Sequence, residues 1–107
     1  MPKLSQSQEL KINIDGMALE KAGRIDEAIA LYELGVANDT STPGTYERLI
    51  ALYWKAKRQD EEQRICELAA TRWPTARDGY GNVSPSTFAS RLIRINARAA
   101  RKAGRSG

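Results

Sequence analysis

The run Leu19-Glu20-Lys21-Ala22-Gly23-Arg24-Ile25-Asp26-Glu27-Ala28-Ile29 reads as the end of one helix, a tight turn and the start of another. Gly23 can take the left-handed backbone conformation that closes a helix C-terminus without a steric penalty. Asp26 and Glu27 suit the positive N-terminal end of the helix that follows. Upstream, Ser5 and Gln8 have the spacing of a capping box, and Leu10, Ile14, Met17 and Ala18 recur at the helical period. Those four are expected to fall on one face of the first helix. Downstream, Ile25, Ala28, Ile29, Tyr32, Gly35 and Val36 carry the same period as far as the polar run Asn38-Asp39-Thr40-Ser41. The spacing predicts helices over 7–21 and 25–37.

The pattern then repeats. Thr42-Pro43 has the form of an N-cap followed by proline in the first turn, where the missing N–H costs nothing. Tyr46, Leu49, Ile50, Tyr53 and Ala56 follow, widened by Leu52 and Trp54, which predicts a helix over 43–56. Asp60 with Gln63 opens a fourth helix over 60–72, carrying Ile65, Cys66, Leu68, Ala69 and Trp73 until Pro74 stops it. Asp78-Gly79-Tyr80-Gly81-Asn82 reads as a loop, and no strand is expected. Ser84-Pro85 restarts a helix over 85–102 with an apolar stripe of Phe88, Leu92, Ile95 and Ala99. Arg91, Arg94, Arg98, Arg101, Lys102 and Arg105 lie beside that stripe. The fold class expected is all-α: about five helices in stacked antiparallel hairpins.

Shifting the chain by 34 places Ala28 on Glu62, Tyr32 on Cys66 and Gly35 on Ala69. A helix–turn–helix unit of this period is that of the tetratricopeptide repeat, and the chain resembles that family. In a first repeat over 9–42, Gly16, Gly23, Ile25, Ala28, Tyr32 and Gly35 match its pattern, with Leu19 where the family has tyrosine. In a second over 43–76, Leu49, Tyr53, Ala69 and Pro74 match. There Lys57 replaces the turn glycine, Cys66 an aromatic and Glu62 the small alanine. Glu62 is expected either to splay its helices or to reach solvent, and to tolerate replacement by alanine. One domain is expected over 1–107: a lead segment 1–8, the two repeats, a Gly-rich loop 77–84, a basic capping helix 85–103 and a frayed tail 104–107.

The resemblance implies a fragment of a right-handed superhelix whose first helices line a concave groove for a peptide or a helix. Carried over by position, the groove residues are Asn13, Met17, Glu20 and Lys21 in the first repeat. Their counterparts in the second are Glu47, Ala51, Trp54 and Lys55. A protein-interaction module or small adaptor, not an enzyme, is the function this implies. Its partner would be another protein, a larger assembly or, as a homodimer, a second copy.

Composition points the same way. The chain has no histidine, which removes imidazole as base or metal ligand, and its single cysteine, Cys66, can form no internal disulfide. No metal or cofactor is implied. The lack of disulfides and of a leader-like apolar start favours a cytoplasmic setting, and no apolar run approaches the length that spans a bilayer. The net charge is +4, yet residues 1–42 are net acidic and residues 77–107 strongly basic. Nucleic acid is therefore the second reading, through Arg91, Arg94, Arg98 and Arg101. The plainer alternative makes these arginines the solvated outer face that the end of a helical stack requires.

Overall fold

Short polar caps and left-handed turns cut the chain into its helices. A computed structural model, which describes residues 4–105, contains α1 (Gln6–Lys21), α2 (Ile25–Ala37), α3 (Pro43–Lys55), α4 (Gln59–Arg72) and α5 (Thr87–Arg105). The expected frayed tail begins inside α5; residues 1–3 and 106–107 lie outside the described residues. Ser5 makes the predicted capping box, its Oγ accepting from Gln8 N while its own N–H donates to Gln8 Oε1. Pro43 opens α3, although the Thr42 hydroxyl makes no capping bond.

Three successive helices end in the same way. After α1, Gly23 adopts φ +77°, and Gly23 and Arg24 donate to the carbonyls of Glu20 and Leu19. After α3, Lys57 adopts φ 60°, and Lys57 and Arg58 donate to the carbonyls of Trp54 and Tyr53. Asp39, at φ 58°, closes α2 with the equivalent pair of bonds. These are Schellman closures. The first and third stand 34 residues apart, with identical backbone angles at Ala22 and Ala56.

Two compact units make up the chain, Met1–Arg58 and Gln59–Gly107, divided at the turn between α3 and α4. In the N-terminal unit α1 and α2 form an antiparallel hairpin and α3 packs on α2. Ala28, Ile29, Tyr32, Tyr46 and Leu49 are buried there. The apolar stripe of α1 is not the face it buries: Leu10 and Ile14 are 57% and 55% exposed, and Met17 and Ala18 are exposed too. Ile12 and Gly16 are buried instead. Gly16 decides the matter, since a Cβ there would fall 2.6 Å from Tyr32 Cζ. The helix turns its glycine, not its largest apolar stripe, toward α2.

In the C-terminal unit α4 packs on α5. Ile65, Cys66 and Ala69 are buried on the first, Phe88 and Ile95 on the second, with Trp73 tilted against Phe88 at 5.8 Å between ring centroids. Glu62 corrects the sequence reading. It does not reach solvent, because its carboxylate is buried and receives Arg91 at 3.0 Å and Arg98 at 3.3 Å from α5. The expected loop also holds a small antiparallel ribbon, β1 (Thr75–Arg77) with β2 (Val83–Pro85). Because Ser84 and Pro85 are taken up by β2, α5 starts at Thr87, where Ser86 Oγ accepts from Ala89 N.

Candidate partner-binding surfaces

On the N-terminal unit, α1 and α3 run side by side. Ser41, just before α3, donates from its N–H and hydroxyl to the Glu9 carboxylate, and Thr45 Oγ1 lies 3.5 Å from Asn13 Oδ1. Both links join residues 32 apart in the chain, as expected where the first helices of successive repeats lie together. Further along, Glu20 Oε2 accepts from the Tyr32 hydroxyl at 2.5 Å and from Arg48 Nε at 3.2 Å. Burial, and next the Glu20 carboxylate, push the Tyr32 phenol well above its ordinary range. Glu20 thus fastens α1 to both α2 and α3.

Beside this junction lies a surface depression of about 460 Å³ lined by Met17, Ala18, Glu20, Lys21 and Arg48. It brings together three of the residues expected in a groove: Met17, Glu20 and Lys21. Asn13 is half-buried at the α1–α3 contact, outside the depression. Glu47 and Lys55 are exposed, Ala51 is half-buried and Trp54 is 54% exposed; none of the four lines it. Arg48 does, and sequence reading missed it. Its one signal was a charge opposite to that of Glu20.

The four arginines of α5 are not equivalent. Arg91 and Arg98 are bound to Glu62. Arg94 and Arg101 are exposed and have no carboxylate partner among the described residues. Cys66 lies on the inner side, where its Sγ–H donates to the Phe88 carbonyl at 3.2 Å and burial pushes the thiol up. A thiol so placed packs rather than reacts.

Among the described residues no group of three or more Cys, Asp or Glu side chains is placed to hold a metal ion, and no helix is long and apolar enough to cross a membrane. Compared with family models, curated proteins and solved structures, the chain matches none of them.

Proposed function

We propose that this chain is a non-catalytic, tetratricopeptide-like interaction module that takes an extended peptide of a protein partner on its N-terminal unit. The observation that carries this reading is the depression between α1 and α3, where exposed Met17 and Ala18 lie beside Lys21 and the Glu20–Arg48 pair, a lining with one cation in excess. Such a surface suits an apolar side chain next to an acidic one. The 34-residue recurrence of the helix closures and the lateral pairing of α1 with α3 support the family-like build.

Peptides selected on the intact chain from a random display library test it. The expected result is that they perturb the amide resonances of Met17, Lys21 and Arg48. Met17→Glu should weaken them at least about tenfold, as loss of a central apolar contact does. Selected peptides that bind Met17→Glu undiminished overturn the reading.

A further inference from the structure

Two helices of this chain present outer faces that fit each other. On α2, Ala30, Leu34 and Ala37 form an exposed stripe at i, i+4 and i+7, with Leu34 52% exposed. On α5, Ile93, Ala97 and Ala100 repeat that spacing, with Ile93 65% exposed. Each stripe lies opposite its helix's buried residues, Ala28 and Tyr32 on α2, Phe88 and Ile95 on α5. The charges beside the stripes are of opposite sign. Asp26 and Glu33 run along one flank of the α2 stripe, Arg94 and Arg101 along one flank of the α5 stripe, seven residues apart in both helices.

Handedness makes these flanks meet. Viewed from each N-terminus at about 100° per residue, Asp26 and Glu33 lie anticlockwise of their stripe and Arg94 and Arg101 clockwise of theirs. Two parallel helices facing each other bring such flanks together. With Ala30 beside Ile93, Leu34 beside Ala97 and Ala37 beside Ala100, the two largest side chains each face a methyl group. Asp26 then meets Arg94, at the offset at which flanking charges pair across parallel coiled-coil helices. We propose that α2 of one copy receives α5 of a second copy, in parallel, through these faces. The contact is heterologous, so it builds a closed ring or an open chain of copies. Its small area puts it among weak, rapidly exchanging interfaces.

Sedimentation equilibrium of the full chain from about 10 μM to 1 mM, at low and at high salt, reads the association directly. Average mass should rise with concentration and fall with added salt. Arg94→Glu and Asp26→Lys, both at exposed positions, should each raise the dissociation constant at least about tenfold with helicity unchanged. Mixing the two variants should restore association, because the acidic α5 face of one then meets the basic α2 face of the other. Ile93→Lys should abolish association whatever the mixture. A chain that stays monomeric throughout the range overturns the proposal. So does association that ignores Arg94→Glu, or variants that fail to recover on mixing.

Discussion

The Glu62 carboxylate, 2% exposed, is held by guanidinium groups that keep 32% (Arg91) and 42% (Arg98) of their side chains in water. That asymmetry decides which partner the unit can lose. Removing both arginines strands a buried charge, which costs about 3 kcal/mol where a buried pair is broken from one side. Removing the carboxylate frees two arginines that already reach solvent. Arg91→Met/Arg98→Met should therefore lower the denaturant midpoint sharply, and Glu62→Met should cost less than about 1 kcal/mol. Equal losses in the two variants would count against a buried, paired Glu62. Lys57 presents a different residue-scale case, since its side chain sits on a left-handed backbone at φ 60°, where the matching position 34 residues earlier is glycine. Lys57→Gly should raise stability by about 0.5–1 kcal/mol, the strain of a Cβ there less the entropy that glycine gives up. A destabilised variant would mean that the stem of Lys57 contributes packing worth more than the strain.

One carboxylate gathers the turn of the ribbon between α4 and α5. Asp78 accepts from the backbone N–H groups of Tyr80 and Asn82 and from the Asn82 side-chain amide. The Asn82 side chain first, then the two backbone donors, hold its carboxyl below the ordinary value of 3.8. A carboxyl lowered in the folded state stabilises above its unfolded pKa and loses that contribution as pH falls through the folded one. The turn should keep its amide protection from roughly pH 7 down to pH 4 and loosen only below that. Hydrogen exchange at Tyr80 and Asn82 checks this, and loosening already near pH 5 would refute it. This ribbon was illegible in the sequence for a physical reason: its three-residue strands are exposed throughout, so no burial alternates along them. Helix ends were legible because their chemistry is local, as at Ser5–Gln8, Gly23 and Pro43. The buried face of α1 was not, because two apolar sets interleave and glycine, which carries no hydropathy, wins the close approach to Tyr32. Met17, Glu20 and Lys21 could be placed at the depression from the repeat pattern. Arg48 could not, and neither could the Glu62 pairing, whose arginines lie 29 and 36 residues away.

Charge is divided unevenly over the molecule. Residues 1–58 hold eight basic and eight acidic side chains, residues 59–107 nine basic and five acidic, so the whole +4 belongs to the C-terminal unit. An anionic polymer would therefore be drawn to that unit first, and long-range attraction alone gives some binding at low salt. What separates a nucleic-acid site from such attraction is the number of phosphates engaged. With Arg91 and Arg98 committed to Glu62, the exposed cations of α5 whose side chains are described come down to Arg94, Arg101 and Lys102. Each phosphate contact on duplex DNA contributes about −0.9 to the slope of log K against log salt, so three contacts give a slope near −2.7. A mixed-sequence duplex titrated from low salt to about 0.15 M should follow that shallow slope and lose measurable affinity well before the upper end. Arg94→Glu/Arg101→Glu should remove what binding there is, while Arg91 and Arg98 stay on Glu62 and keep the unit folded. A slope near −5 or steeper, with micromolar binding surviving at the upper salt, would mean that Glu62 releases its arginines to phosphate. Nucleic acid would then replace a protein as the partner of this helix.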